Sequence, residues 1–343
     1  MKLVDTKDAV GHVLCHDITQ IIPGKVKGPV FKKGHIVREE DIEVLLSVGK
    51  NHLYVWENND DMLHEDEAAY ILKDICMGDD KNMSFSDPSE GKIEICANVD
   101  GLLKVDRQAL NQVNMLGEMM IASVHGDFAV KKGDKIAGTR IIPLVIKKEK
   151  MKKAREISDK NILSIIPFKP KKYAIVTTGA EVASGIIKDA FGPVLKEKMS
   201  EYNGEFMGQK ILADNREQIS KSIIEFIEDG AEMVLCSGGM SVDPDDQTPG
   251  AIKDTKAEII SYGAPVLPGA MFLLSYYSYN GKKIPVLGLP GCVMYAKRTI
   301  FDLVLPRLIA GEILSNRDLS NYGEGGLCLN CDICHFPNCS FGK

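Results

Sequence analysis

The sequence predicts an α/β protein: a three-layer α/β/α domain on a mostly parallel sheet over residues 170–312, preceded by a β-rich N-terminal region. Two observations carry this. After Pro170, apolar runs of strand length alternate with amphipathic stretches of helix length, an order that sets consecutive strands parallel and covers both faces of their sheet with helices. Three of those runs then stop in glycine-bearing turns, TTGAEV (177–182), SGGMSVDPDDQTP (237–249) and LGLPGCV (287–293). In open α/β sheets, ligands sit beyond the carboxyl ends of the strands, so these turns are expected to converge on one rim.

Along the chain, residues 1–169 read as short strands and turns with few helices, in one or two subdomains. Residues 24–37 place Gly, Pro and Lys between β-branched positions, and 39–49 have helical apolar spacing stopped by Gly49. An acidic run at 57–69 leads into a weakly apolar helix and then an exposed loop at 77–91. Residues 92–146 again alternate short strands and Gly-rich turns around a polar helix near 106–116. The basic run at 147–160 reads as a solvated face or linker more readily than as a phosphate patch.

Within 170–312 the spacing predicts strands at 173–179, 205–212 and 231–239 and helices at 189–204, 214–230 and 248–256. A strand at 258–263, a hairpin around Asn280–Gly281, a strand ending at Gly291 and a last helix from Val293 to about Ala310 follow. Residues 313–343 are polar and Gly-rich until their cysteines, and are expected to need a metal in order to pack.

A net charge of −6 gives no general attraction to nucleic acid or anionic lipid, so an anionic ligand must be held by local geometry. The N-terminus lacks the apolar stretch of a signal peptide and no apolar run approaches a membrane span, so a cytoplasmic protein with reduced thiols is expected. A homo-oligomer, most simply a dimer, is also expected.

The second turn is the most informative. Ser237, Gly238 and Gly239 allow close backbone approach to a phosphate, while Ser241 and Thr248 offer hydroxyl donors. Asp243, Asp245 and Asp246 follow; they would repel a phosphate unless a divalent cation intervened or they faced another part of the ligand. Taken alone, the same residues fit a Gly–Asp turn ahead of a capped helix equally well.

The ordered set TTGAEV, Asp189, ADN (213–215), SGGMSVDPDDQTP, LPGA (267–270) and LPGC (289–292) resembles the molybdopterin-binding domain of MogA, MoeA and the gephyrin E domain. The resemblance covers 170–312; residues 1–170 more loosely resemble the N-terminal part of the MoeA group, in residues 11–19 and FKKGHIVREEDIEVLLSVG. It implies binding of molybdopterin or its adenylylated form, with insertion of molybdate, or tungstate, assisted by magnesium. Carried over by position, it implies acidic sites at Glu181, Asp214 and Asp246, placed as catalytic, and cofactor contacts at Thr178, Gly179, Asp189, Ser237, Gly238, Gly239, Ser241, Asp243, Thr248, Pro290 and Gly291. A carboxylate can meet the adjacent N–H donors of a pterin edge with two parallel hydrogen bonds. Asp214 also reads as a helix N-cap, and Glu181 as a solvent-facing residue after a turn.

The chain departs from the transferase pattern at Ala270, where a Lys is usual, and at Cys292 and Val293, where Asn-Pro is usual, and no counterpart of the group's C-terminal barrel is expected. Pterin recognition is therefore implied more strongly than metal insertion. The alternatives are a non-catalytic carrier that delivers the cofactor to molybdoenzymes, and a CinA-like protein acting on nucleotides.

Cys328, Cys331, Cys334 and Cys339 form C-x2-C-x2-C-x4-C, close to a ferredoxin run but one residue longer before the last Cys. They are candidate ligands for zinc or an iron–sulfur cluster, and the spacing leaves the two open. His12, His16, His35, His52, His64 and His125 share no ligand spacing, and Tyr276, Tyr277 and Tyr279 read as strand packing.

Overall fold

In a computed structural model, residues 2–22, 26–55, 61–241 and 243–343 are described. Gly24 and Lys25, residues 57–60 of the acidic run and Val242, all part of segments read above, lie outside them. The chain divides into two units, one of residues 1–99, 105–124 and 131–165, the other of 100–104, 125–130 and 166–343.

The first unit is assembled from small antiparallel pairings. Lys2–Asp5 pairs with His52–Val55, Ile18–Ile22 with Val26–Phe31, and Met62–His64 with Val145–Lys147. A four-stranded sheet runs Met83–Phe85, Lys92–Ala97, Lys135–Ile141, Met119–Ser123. Part of the expected loop at 77–91 is therefore its edge strand, tied by Met83 opposite Ala97. On Lys92–Ala97 the buried residues are Ile93, Ile95 and Ala97, the period-two burial of a strand with one face on a core. Helix Glu65–Met77 buries Ala68, Ala69, Leu72 and Cys76 at helical spacing and begins with a capping box between His64 and Glu67. The basic run forms helix Lys148–Arg155, whose Lys153 pairs with Glu149 one turn away at 2.8 Å, both exposed; this is a solvated face.

In the second unit, strands β1 (Lys172–Thr178), β2 (Glu205–Leu212), β3 (Met233–Ser237), β4 (Glu258–Tyr262), β5 (Leu273–Tyr279) and β6 (Lys282–Leu289) form one six-stranded sheet in the order β2-β1-β3-β6-β5-β4. The pairings β1/β2, β1/β3 and β3/β6 are parallel; β4/β5 and β5/β6 are antiparallel. The last of these is the expected hairpin: Asn280 and Gly281 both take positive φ, 49° and 75°, as a two-residue turn between right-twisted strands requires.

Alternate residues of the strands enter two separate apolar clusters. Tyr173, Ile175, Leu235 and Leu287 pack with Leu195 and Met199 of helix Phe191–Ser200 and with Phe301, Leu305 and Leu308 of helix Ile300–Ile309. Ala174, Val176, Val234 and Val286 pack with Ile219 and Ile223 of helix Arg216–Glu228 and with Ala251 and Ile252 of helix Thr248–Asp254. Each fully buried Leu or Ile contributes about 1.5–3 kcal/mol relative to exposure, so both clusters fix the strand ends firmly.

Two expectations in this unit are corrected. The last helix does not run on from Val293: Gly291–Met294 is a 3-10 turn, and the α-helix starts at Ile300, behind a capping box in which Thr299 and Asp302 satisfy each other's backbone N–H. The C-terminal residues are not a separate tail either. Leu314, Leu319, Tyr322 and Phe341 are buried in the first cluster, so apolar contact ties this segment to the unit. Among the described residues no helix is long and apolar enough to cross a membrane.

Candidate functional site

Strand register sets the level of the three glycine turns. Thr177 lies opposite Ser237, Ser237 opposite Leu289, and Thr178 opposite Leu212. The turns at 179, 213, 238 and 290 thus all leave the sheet from the carboxyl ends of neighbouring parallel strands, where backbone donors face outward.

Side chains lock the turns together. The Thr178 and Thr248 hydroxyls lie 3.0 Å apart, and Thr248 Oγ1 donates to the Gly238 carbonyl at 2.8 Å. The Thr248 N–H donates to the Gly239 carbonyl at 3.2 Å, closing the 240–247 loop at its base. Asp214 reaches across from the turn after β2, and its Oδ2 accepts from the Ala180 N–H at 3.0 Å. Gly239 is the meeting point: a Cβ there would fall 3.0 Å from Thr178 Oγ1, 3.1 Å from Thr248 Oγ1 and 3.3 Å from Asp214 Oδ1. A Cβ on Gly238 would sit 2.1 Å from the Thr178 carbonyl oxygen, and its φ of 85° is one that L side chains rarely adopt.

Several expected contacts change role. Ser237, Thr178 and Thr248 were expected at the ligand; all three are buried, and their hydroxyls bond to Thr177, to one another and to backbone, which makes them internal ties. The hydroxyl expected to offer phosphate a hydrogen bond is already spent on joining two turns. Asp189 starts helix Phe191–Ser200, accepting from the N–H groups of Phe191 and Gly192 at 3.0 and 3.1 Å, and accepts from Gln209 Nε2 at 2.7 Å. Helix Arg216–Glu228 is capped by Asn215, whose side chain accepts from the Gln218 N–H; this leaves Asp214 for the inter-turn bond, so its alternative reading as the N-cap is excluded.

What remains exposed or half-buried along the rim is Gly179, Glu181, Asp214, Gly238, Gly239, Ser241, Asp243, Asp246 and Gly291. No Cβ contact within 4 Å awaits Gly291, so its backbone faces open space beside buried Pro290. Asp246 Oδ2 is enclosed yet has no hydrogen-bond partner among the described residues. An enclosed carboxylate oxygen without a donor is costly and marks a place for one. Beside it, Tyr262 OH donates to the Met240 carbonyl at 3.2 Å, and burial together with the Asp246 charge raises the Tyr262 pKa. Sequence reading missed Tyr262 and Gln209; both act across the sheet, from positions that only strand register brings near the turns.

The four C-terminal cysteines are free thiols, Cys331 and Cys334 exposed and Cys328 and Cys339 half-buried. Among the described residues no group of three or more His, Cys, Asp or Glu is arranged around a single metal ion, so neither these thiols nor the 243–246 acids form a preassembled cage.

Residues 174–310 match a family model described as a probable molybdopterin binding domain, and residues 3–57 match one described only as a domain of unknown function. Over those residues the α/β unit is thus similar to molybdopterin-binding domains. Over 92 residues, 27% of its length, the chain is 30% identical to a molybdopterin adenylyltransferase of Pyrococcus furiosus and spans 54% of that protein, about half its length. Over 345 aligned positions, 93% of the chain is 21% identical to a molybdopterin molybdenumtransferase of Staphylococcus epidermidis and covers 76% of it. Among solved structures, the tungsten cofactor synthesizing protein MoaB of Pyrococcus furiosus aligns over 42% of this chain and 97% of its own, at 20% identity and a TM-score of 0.35.

Proposed function

We propose that the rim binds molybdopterin or its adenylylated form, and that the protein acts in molybdenum cofactor biosynthesis by inserting molybdate into that ligand. The observation that carries this is the partnerless Asp246 carboxylate oxygen beside a glycine turn that a Cβ would obstruct. A pterin edge supplies the paired N–H donors that this carboxylate lacks, and its phosphate takes the outward N–H groups of residues 238–239 and 291. Glu181, Asp214 and Asp243 are assigned to the ligand's polar substituents. In this reading the domain is the three-layer α/β/α type, supported by the two apolar clusters on alternate strand residues.

Magnesium fits only as a shared ion. With no cage of three protein ligands among the described residues, it would be held by Asp243, Asp245 or both together with the ligand's phosphate, the usual habit of this cation. When bound, it supplies charge neutralisation at the phosphate. The chain's own residues orient the pterin and hold the turns in register.

The test is pterin binding by Asp246→Ala. The expected result is weaker affinity with an unfolding midpoint that holds or rises, since a costly unpaired oxygen is removed; unchanged affinity sinks the assignment. Parallel titration with ADP-ribose and nicotinamide mononucleotide separates a nucleotide-processing role, and turnover assayed with molybdate separates insertion from carriage.

A further inference from the structure

The four C-terminal thiols line one cleft of about 500 Å³, whose lining includes none of the residues assigned to the ligand at the glycine turns. Its frame is fixed. Leu267 N–H donates to the Gly326 carbonyl and Cys328 N–H to the Leu267 carbonyl, each at 2.8 Å, which ties the first cysteine to the body of the unit. Lys297 Nζ donates to the Asp332 carbonyl at 2.6 Å, holding the turn between Cys331 and Cys334. Phe341 is buried two residues after Cys339. The cleft also presents Lys297 and Arg298, and the guanidinium of Arg298 stacks 5.0 Å from the Phe336 ring centre.

Two thiophilic occupants suit such a set. A structural zinc ion needs four sulfurs about 2.3 Å from one point. The thiols surround a shared space, yet no three of them are arranged around a single ion. A cubane carries its four iron corners outward, so its thiolates stand further apart around a larger volume. Four thiolates on such a core leave the assembly anionic, and Lys297 and Arg298 at the cleft wall offset that charge, while Phe336 and Phe341 limit water access.

We propose that Cys328, Cys331, Cys334 and Cys339 hold a [4Fe–4S] cluster in this cleft. The inference stands independently of pterin binding, because it uses none of the residues assigned to the rim. Formation is ligand exchange at iron: two ferric and two ferrous ions with four sulfides make the oxidised core, each thiol loses its proton to solvent as its sulfur bonds to one iron, and no electron is drawn from the protein.

The experiment is anaerobic reconstitution of the full chain with equal amounts of ferric and ferrous iron and with sulfide, followed by metal and acid-labile sulfide analysis. About four iron and four sulfide per chain are expected, with an EPR signal on dithionite reduction. Cys331→Ser and Cys334→Ser, both at exposed positions, are expected to lose at least half of the bound iron, whereas Cys96→Ser in the first unit leaves it unchanged. The Mössbauer spectrum of the wild-type protein reads the cluster directly if either variant fails to fold. One zinc per chain without sulfide, or a folded wild type that retains neither metal, overturns the proposal.

Discussion

The carboxylate of Asp214 accepts a hydrogen bond from the backbone N–H of Ala180 at 3.0 Å, joining turns that are 34 residues apart in sequence. One oxygen is thereby used to set the first turn, while the other lies beside Gly239, at the position assigned to the ligand. The two functions separate by substitution. Asp214→Asn keeps an oxygen acceptor for Ala180 and loses the charge, so stability stays within a few tenths of a kcal/mol while pterin affinity falls about tenfold. Asp214→Ala loses both, adding about 1 kcal/mol of destabilisation. Urea unfolding beside fluorescence titration checks this; equal affinities for the Asn variant and the wild type would reduce Asp214 to a structural tie.

Gly238 and Gly291 make a matched pair. Ala at 238 meets the Thr178 carbonyl oxygen at 2.1 Å in a left-handed backbone, so Gly238→Ala costs about 2 kcal/mol or more and unseats the turn. Ala at 291 meets nothing within 4 Å, so Gly291→Ala keeps stability within roughly 0.5 kcal/mol. Binding is nonetheless expected to weaken in both, because a ligand whose phosphate contacts the backbone meets the new methyl group. Normal affinity in a stable Gly291→Ala protein removes the third turn from the site.

The strand and helix order, the hairpin and the convergence of glycine turns were legible in the sequence, because period-two and period-3.6 burial and positive-φ glycines are local signals. The roles of Ser237, Thr178 and Thr248 were not. A hydroxyl after a strand reads as an exposed donor until parallel register places Thr177 against Ser237 and brings residue 248 back under residue 178. Nor was the division of the chain legible: residues 100–104 and 125–130 join the second unit, a long-range choice that no local pattern announces. The C-terminal segment misled for a related reason. Leu314, Leu319, Tyr322 and Phe341 are widely spaced among polar and exposed residues, yet all four reach one core.

Thr248 gives a third prediction. Thr248→Val preserves shape but removes the hydroxyl that serves both Thr178 Oγ1 and the Gly238 carbonyl, leaving a buried hydroxyl and a half-buried carbonyl without that partner. A loss of about 1–3 kcal/mol is expected. Adding Thr178→Val removes one orphan, so the double variant is expected to lose less than the sum of the two singles. Additive losses in a double-mutant cycle would show that the two hydroxyls do not act together.

Glu65 gives a pH test in the first unit. It is 8% exposed at the start of helix Glu65–Met77, and burial, helped by the neighbouring Asp66 charge, raises its carboxyl pKa from 4.5 to about 7. A carboxyl raised on folding binds its proton more tightly in the folded state than in the unfolded one. Its stabilising contribution is therefore complete below pH 4.5, declines as pH rises between 4.5 and about 7, and is gone above that. Glu65→Gln keeps a neutral side chain at every pH, so relative to wild type it gains stability across that same window, reaching on the order of 2 kcal/mol at pH 8 and nothing at pH 4. Urea midpoints of the two proteins measured from pH 4 to 8 are expected to diverge upward through that interval. Parallel curves would mean that the Glu65 carboxyl ionises normally and that the helix start is open to water.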